Sequence, residues 1–202
     1  MPSAIALNCT LKPQGASSTD EMIDLIGAAL AAHGVTLGET IRVAAHDVKP
    51  GVSSDEGAGD AWPAIRAKIL AHDILVFGTP IWLGQPSSIA KRVLERMDAF
   101  LSETDDQGRG PAYGKVAIAA IVGNEDGAHA TSAALFQGLN DMGFTLAPAA
   151  ACYWVGEAMG KTDFQDLPQV PEKVRATVAM AASNAAHLAA RLAAAAYPGT
   201  AG

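Results

Sequence analysis

This sequence predicts a doubly wound α/β fold, in which five parallel strands form one sheet with helices on both of its faces. Three observations predict it. Segments with strand character alternate with amphipathic helical segments along the chain, and no internal repeat interrupts this order. The third strand, residues 74–77, is apolar at every position, as in strands that are buried on both faces of a parallel sheet. With 202 residues, of which 50% are hydrophobic, the chain suits a single domain over residues 1–202.

The first half of the chain contains two strands, two helices and a long polar loop. We predict strands over 4–9 and 40–44, helices over 18–33 and 60–71, and an ordered surface loop over 46–60. In the first helix, Ser18 and Glu21 have the S-x-x-E spacing of a capping box, and Gly34 is a suitable end. Trp62, before Pro63, is interpreted as a packing residue at the start of the second helix.

The second half begins with the strand over 74–77 and a loop that Pro80 and Gly84 shape. Ser87 and Ser88 are candidate N-caps of the next helix. Apolar residues recur in that helix at helical spacing, namely Ile89, Val93, Leu94, Met97 and Leu101. A strand over 115–122, a helix over 128–142 and a strand over 144–151 follow, the last weakened by Pro148. The final helix, over 171–196, is rich in alanine, which favours helix strongly.

Charge and hydropathy restrict the classes of partner. The formal net charge of -7 argues against nucleic acid or an anionic membrane surface as the main partner. We expect no membrane-spanning segment, because no apolar run reaches about 18 residues, and no signal peptide, because the N-terminus lacks a basic start. The two cysteines are too few for a disulfide framework and have no metal-site spacing. We therefore expect a cytoplasmic protein with free thiols and no metal.

Hydroxyl side chains are concentrated in the loop between the first strand and the first helix. They are Thr10, Ser17, Ser18 and Thr19. Doubly wound folds bind phosphate at this position, where unsatisfied helix amides and the helix dipole favour an anion. The same residue types also cap helices and form turns, so the alternative of a purely structural loop stays open. The loop contains neither a Walker motif nor the G-x-G-x-x-G dinucleotide fingerprint.

Cys9 lies at the start of this loop, where small tyrosine phosphatases carry a nucleophilic thiol. Those phosphatases place an arginine six residues after the cysteine, and Gly15 stands at that position here. We therefore interpret Cys9 as a small buried residue.

Two further loops leave the carboxyl ends of predicted strands, where open α/β sheets bind ligands. The loop after the third strand contains Pro80, Ile81, Trp82, Leu83 and Gly84. The loop after the fourth strand contains Gly123, Asn124, Glu125, Asp126 and Gly127. A tryptophan, free amides and an Asn side chain suit a flat ring edged with hydrogen-bonding atoms, such as a flavin. The two acids are equally suited to the first turn of a helix, where they match its dipole.

Three more residues are candidates for the same site. His129 is a candidate proton donor, although a single histidine at a helix start is more often structural. Tyr153 and Trp154 follow the fifth predicted strand and are candidates for a pocket wall, with core packing as the alternative.

Through these loops the chain resembles the flavodoxin-like NAD(P)H-dependent FMN reductase and quinone reductase family. The matching stretches are residues 8–19, 79–88, 123–129 and 153–154, in the order expected for the family. The first loop is longer than the T-x-T-G-x-T of electron-carrier flavodoxins and contains Lys12-Pro13, which favours the reductase branch. The resemblance implies a flavodoxin-like sheet with strand order 2-1-3-4-5.

The resemblance also implies a cofactor and an activity. Thr10, Ser17, Ser18 and Thr19 would hold the FMN phosphate, and residues 80–84 would lie along the ring. Gly123, Asn124, Glu125 and Gly127 would close its other edge, with Tyr153 and Trp154 as walls. FMN would take a hydride from NADPH or NADH and pass electrons to a quinone, a free flavin or a similar small acceptor. Family members of this kind are commonly homodimers or homotetramers.

Two alternatives from other functional classes remain. One is a flavodoxin-type electron carrier that docks to redox partner proteins and oxidises NAD(P)H slowly; such carriers are usually more acidic for their length. The other is a cofactor-free regulatory module on the same fold, which predicts a colourless protein. The residues select neither NADPH nor NADH, nor an acceptor, and the loop over 46–60 is equally suited to a lid and to an oligomer contact.

Overall fold

Five long parallel strands form the centre of the molecule in the computed structural model, which describes residues 1–200. The strands are β1 (Ser3–Asn8), β2 (Thr36–Arg42), β3 (Ile74–Trp82), β5 (Val116–Gly123) and β6 (Thr145–Val155), and β4 (Gln85–Pro86) is a short sixth strand. The helices are α1 (Ser18–Ala31), α2 (Trp62–Leu70), α3 (Ser88–Met97), α4 (Ala128–Asp141) and α5 (Glu172–Ala194). The sheet order is β2-β1-β3-β5-β6, so the predicted order of five parallel strands is confirmed.

The sheet separates two apolar layers, as the doubly wound topology requires. Alternate residues of β1 face opposite sides, so Ile5 packs with α2, α3 and α4, and Ala6 packs with α1 and α5. Trp62 is fully buried in the first of these layers, as predicted. The alanine-rich α5 buries its small side chains against β6 and α1, which lets the helix approach the sheet closely.

Strand β3 is longer than predicted, and its end forms a hairpin. The strand continues through Pro80, which pairs in register with Val122 of β5. Pairing with β1 ends at Gly78, so the missing N–H of Pro80 interrupts no ladder on that side. The strand then turns at residues 83 and 84 and pairs antiparallel with β4. The predicted loop over 78–87 is therefore largely extended structure.

Strand β6 also extends beyond its predicted end. Its register with β5 shifts between Leu146 and Ala151, where Ala149 has a φ of 62°. This irregularity accommodates Pro148 on an edge strand, and the ladder then continues to Val155. Tyr153 and Trp154 lie within β6 rather than after it, which corrects the prediction. Strand β2 likewise begins earlier than predicted and ends at Arg42.

The segment over 46–60 is held against α3 by one buried arginine. Arg96 donates to the carbonyl oxygens of Lys49 at 2.9 Å and Ser53 at 3.0 Å, and its guanidinium pairs with Asp60 at 2.7 Å. Both charged side chains are fully buried. The segment is thus an ordered part of the wall on the α3 side of the sheet.

Within residues 1–200, no helix combines the length and the apolar character needed to cross a membrane. The same part of the chain contains no group of three His, Cys, Asp or Glu side chains that could hold a metal ion.

Candidate functional site

Segments that follow four of the parallel strands meet at the carboxyl end of the sheet and enclose a cleft of about 480 Å³. Most of the residues predicted for the ligand site line it, namely Thr10, Ser17, Ser18, Thr19, Pro80, Ile81, Trp82, Leu83, Gly123, Asn124, Glu125 and Trp154. The residues that sequence reasoning missed are Lys12, Val122, Met159, Asp163, Phe164 and Gln165. Four of these follow β6, in a segment without periodicity or a motif, so no sequence signal indicated them.

The loop after β1 is shaped by hydrogen bonds to its own hydroxyl and amide groups. Ser17, and not Ser18, is the N-cap of α1: its Oγ accepts from the Thr19 amide at 3.2 Å, which corrects the predicted capping box. The same Oγ accepts from Asn8 Nδ2 at 3.4 Å. The Ser17 proton therefore remains able to donate. Asn8 Oδ1 accepts from the Thr10 amide at 2.9 Å and orients the start of the loop.

A charged cluster beneath the loop supports this conformation. Arg42 donates to the carbonyl oxygen of Gly15 at 2.6 Å and pairs with Asp20, which also accepts from Asn8. Asp20 lies in the first turn of α1, where a carboxylate matches the helix dipole. Arg42 thus ties the outer part of the loop to the helix start and the end of β2.

The tip of the β3–β4 hairpin forms one side of the cleft. Leu83 and Gly84 both have positive φ, 52° and 72°, as in the two-residue turns that suit hairpin twist. The Leu83 amide donates to Glu125 Oε1 at 2.9 Å. Gly127 lies directly against the backbone of Gly84, since a Cβ added to Gly127 would be 2.6 Å from Gly84 Cα. The hairpin tip is therefore docked on the loop after β5.

The segment after β6 forms the opposite side. The Met159 amide donates to the Asn124 carbonyl oxygen at 3.1 Å, and Asn124 Nδ2 donates to Asp163 Oδ1 at 2.8 Å. Ser18 Oγ accepts from the Gln165 amide at 3.3 Å, which joins this segment to the start of α1. The Trp154 and Phe164 rings pack with their centroids 5.5 Å apart.

Two side-chain oxygens in this wall are buried and have no hydrogen-bond partner among the described residues. They are Asn124 Oδ1 and Gln165 Oε1, and both residues line the cleft. Trp62 Nε1, Arg66 Nε and Thr131 Oγ1, which lie outside the cleft lining, are buried and unpartnered as well, so this property does not distinguish the cleft.

The structure does not bring four of the predicted site residues to the wall of the cleft. Gly84 forms part of the hairpin tip, and Gly127 packs against the Gly84 backbone from behind. Neighbouring residues on a strand face opposite sides, so Tyr153 points away from Trp154 and toward α4. There its OH lies 3.1 Å from His129 Nε2.

Replacing His129 with alanine is expected to leave the NAD(P)H oxidation that the family resemblance implies within about twofold of wild type, because the His129 ring is engaged by Tyr153 on the other face of the sheet. Steady-state NAD(P)H oxidation under FMN saturation measures this, with Tyr153→Phe as the matched variant. A loss of about 100-fold, the scale of a general acid, would place His129 in the chemistry instead.

The two cysteines are fully buried, and burial raises the pKa of both thiols. A buried, protonated thiol is a poor nucleophile, in agreement with the structural interpretation of Cys9.

Comparison with protein families agrees with this architecture. A family model described as NADPH-dependent FMN reductase matches residues 2–158. The 8-demethyl-8-aminoriboflavin-5'-phosphate synthase of Streptomyces davaonensis is 34% identical over 165 residues, which cover 77% of this chain and 64% of the synthase. The divalent metal cation transporter MntH of Mycobacterium bovis is 38% identical over 160 residues, which cover 77% of this chain and 23% of the transporter. The chain spans less than two thirds of the length of either relative.

Solved structures share the fold over nearly the whole chain. RosB with the bound intermediate 8-demethyl-8-formylriboflavin-5'-phosphate superposes with a TM-score of 0.88 at 29% identity, covering 100% of this chain and 83% of RosB. The apo form of the NADH:FMN oxidoreductase EmoB superposes with a TM-score of 0.63 at 19% identity, covering 95% of this chain and 90% of EmoB. The second likeness concerns the fold alone.

Proposed function

Because the chain belongs to the NADPH-dependent FMN reductase family, we propose that it is an oxidoreductase that binds FMN in the cleft and passes electrons from NADPH or NADH to a small acceptor. The family assignment confirms the resemblance drawn from the loops and the predicted cofactors, FMN with a nicotinamide nucleotide. The observation that carries the proposal is the cleft at the carboxyl end of the sheet, where hydroxyl side chains at the N-terminus of α1 form one end and Trp82 and Trp154 line the walls.

The residues of the cleft fit FMN in charge and polarity. Thr10, Ser17 and Ser18 and the first amides of α1 suit a phosphate monoester, which an N-terminal helix end stabilises by about 0.3–1 kcal/mol. Trp82 and Trp154 supply flat apolar surface for the ring.

The residues of this chain would mainly bind FMN and orient it in the cleft. Bound FMN supplies hydride acceptance and electron transfer, the chemistry that no side chain in the cleft provides. The docked hairpin holds Trp82 at the mouth of the cleft, and the tie between Leu83 and Glu125 fixes its tip. Asp163 accepts a hydrogen bond from Asn124 Nδ2 and so fixes the orientation of the Asn124 side chain in the cleft wall. Overall, the nicotinamide loses a hydride, and the acceptor gains it together with a proton from solvent.

A second candidate function is modification of the flavin itself. A curated relative is named as a synthase of an 8-aminoriboflavin phosphate, and RosB, which superposes with a TM-score of 0.88, is solved with an 8-formylriboflavin phosphate bound. In that case the phosphate end of the cleft would bind the flavin phosphate as a substrate, and the product would leave with a changed ring.

One experiment separates these functions. The purified protein is incubated with FMN and desalted, and its visible spectrum is recorded before and after anaerobic addition of NADPH or NADH. A retained flavin band that bleaches supports the reductase, and a retained band that does not bleach favours the electron carrier. The absence of a retained band contradicts tight FMN binding. The second candidate is tested by a parallel aerobic incubation with FMN and an amino-group donor, which supply the oxidant and the nitrogen that exchange of the 8-methyl group for an amino group requires. Mass spectrometry of the released flavin then detects a modified ring.

Lys12 is the cation among the described residues that line the cleft. We predict that Lys12→Ala weakens binding of FMN or NADPH by about three- to tenfold at low salt, with a smaller difference at high salt, because the lysine faces a phosphate across solvent. Fluorescence titration with each ligand measures the effect. Lys173→Ala, on the exposed start of α5, is the matched control. If Lys12→Ala and Lys173→Ala bound each ligand with equal affinity, Lys12 would have no role in phosphate binding.

We further propose that the chain assembles as a homodimer or homotetramer in the cytoplasm, as is common for the family it resembles. Size-exclusion chromatography with light scattering gives the mass in solution, and a monomeric mass at micromolar concentration would contradict the assembly.

A further inference from the structure

The outer part of the loop after β1, residues 11–16, has few contacts that hold it in place. All of these residues are exposed, so burial in the core does not fix their conformation. Within residues 1–200, the hydrogen bond that reaches the backbone of this segment is donated by Arg42, to the carbonyl oxygen of Gly15 at 2.6 Å. The conformation of the segment therefore depends on one side chain from another strand.

Arg42 is itself held by two residues of other elements. Its guanidinium pairs with Asp20 in the first turn of α1, and the two side chains are 17% and 32% exposed. Asn8 is the register partner of Arg42 at the ends of β1 and β2, and its amide nitrogen also donates to Asp20. Solvent screens a partly buried ion pair less than one on the open surface. The ends of β1 and β2 and the start of α1 are therefore joined at one point.

Asn8 connects this point to the polar groups of the cleft. The Asn8 side chain is fully buried, and its Oδ1 accepts from the Thr10 amide at 2.9 Å. Its Nδ2 donates to Ser17 Oγ at 3.4 Å, and the same Oγ accepts from the Thr19 amide at 3.2 Å. A hydroxyl oxygen has two lone pairs, so both are engaged and the Ser17 proton is left to donate. Phosphate oxygens are acceptors of such a proton.

Asn8, Asp20 and Arg42 are not among the described residues that line the cleft. They contact Thr10 and Ser17, which do line it, and the exposed segment over 11–16. We call these three residues the loop anchor. A loop that is ordered before its ligand arrives binds that ligand more tightly, because the entropy of ordering the loop is not lost on binding.

We propose that the loop anchor holds the loop after β1 in its phosphate-binding conformation, and that the cleft thereby selects flavins that carry a phosphate over flavins that do not. This inference rests on the proposed function, because it assigns the loop to the phosphate of FMN. The three residues of the loop anchor are positioning residues, which act on the ligand through the Thr10 amide and the Ser17 hydroxyl.

The opposite charges of two anchor residues separate positioning from direct attraction. If only charge acted on the phosphate, removal of the Arg42 cation would weaken FMN binding, and removal of the Asp20 anion would tighten it. If the two residues hold the loop, removal of either one weakens FMN binding. The variant Asp20→Ala therefore distinguishes the two accounts by the sign of its effect.

The test compares FMN with riboflavin, which has the same ring and ribityl chain but no phosphate. The full chain without bound flavin is titrated with each compound as wild type, Arg42→Met and Asp20→Ala, and quenching of flavin fluorescence reports binding. Arg175→Met is the matched control. Arg175 likewise pairs with a carboxylate in the first turn of a helix, Glu172, and donates to a carbonyl oxygen before that helix, at Val170, outside the cleft lining. Urea unfolding of each protein is measured in parallel.

Arg42→Met and Asp20→Ala are each expected to bind FMN about tenfold more weakly than wild type, while riboflavin affinity stays within about twofold. Arg175→Met is expected to bind both flavins as wild type does. If Arg42→Met does not fold, Asp20→Ala carries the test, since residue 20 is partly exposed and alanine favours helix there.

Tighter or unchanged FMN binding by Asp20→Ala would overturn the inference. Equal losses of FMN and riboflavin affinity would also overturn it, because they would show a general loss of structure. The same holds if wild type bound the two flavins with equal affinity, since the loop would then not bind the phosphate. Failure of wild type to bind either flavin would instead contradict the proposed function.

Discussion

Replacing Gly127 with alanine is expected to weaken FMN binding at least tenfold and to lower the free energy of unfolding by about 2–5 kcal/mol. Gly127 has a φ of 113°, which disfavours any residue with a Cβ. The new methyl group would also lie 2.6 Å from Gly84 Cα and 2.9 Å from its carbonyl oxygen. Both obstacles are backbone atoms, so the hairpin tip must move as a unit, and Trp82 and Leu83 move with it out of the cleft wall. FMN titration and urea unfolding measure the two effects.

The variant Gly34→Ala distinguishes the effect of the steric clash at residue 127 from the effect of placing a Cβ at a positive φ. Gly34 also has a positive φ, 74°, but a Cβ there would meet nothing within 4 Å, and the residue lies after α1, outside the cleft lining. The free energy of unfolding of this variant is expected to be about 1–2 kcal/mol lower than that of wild type, and its FMN affinity is expected to be unchanged. If Gly127→Ala bound FMN as tightly as Gly34→Ala does, docking of the hairpin on the loop after β5 would not determine the flavin site.

Replacing Arg96 with methionine is expected to lower the free energy of unfolding at neutral pH by about 3–5 kcal/mol, because it leaves the Asp60 carboxylate buried without its counter-charge. It also removes the hydrogen bonds that hold the segment over 46–60 to α3. Urea unfolding gives the value. Lys68→Met, which breaks the exposed ion pair with Glu39, is the control and is expected to lose less than about 1 kcal/mol.

The loss from Arg96→Met is expected to shrink as the pH falls. Burial alone raises the pKa of Asp60, but the hydrogen bonds from Arg96 and from the amides of Glu56, Trp62 and Lys49 outweigh it and hold the pKa well below its ordinary value of 3.8. In wild type, the stability from this lowered pKa is complete above pH 3.8 and is lost as the pH falls further. Without Arg96, the pKa of Asp60 is expected to lie higher than in wild type, so Asp60 takes up a proton at a higher pH and the buried charge is neutralised. This account would be contradicted if the difference in free energy of unfolding between wild type and Arg96→Met stayed constant from neutral to acidic pH.

The prediction of the sheet from the sequence rested on local patterns. Strand 74–77 and its continuous apolar character identified the centre of the sheet, and the alternation of strands and helices determined its parallel topology. The predicted end of β3 was wrong because pairing with β5 continues through Pro80, where the sequence alone indicates a break, and the predicted end of β6 was wrong because pairing with β5 continues beyond Ala151 to Val155. Pairing with β5 keeps both segments extended, although the prolines in them lower the local β-propensity.

The site was predictable where a residue lies in a loop directly after a strand. The hydroxyl loop and the Trp82 segment were found because parallel strands bring their carboxyl ends to one edge. Gln165 and Asp163 lie beyond β6, and their place in the wall depends on hydrogen bonds to Ser18 and Asn124 that have no counterpart in sequence spacing.

The sequence by itself determined the fold class, the strand order implied by the family, and the loops that carry ligand chemistry, because hydrophobic periodicity and loop residues are local properties. The tertiary structure alone decided that Tyr153 faces His129 while Trp154 faces the cleft, since one residue of strand register reverses the side of the sheet. It also decided that the turns at Leu83 and Met159 are anchored to one loop, because hydrogen bonds across 42 residues, as from Leu83 to Glu125, arise only when separate strands close into a sheet.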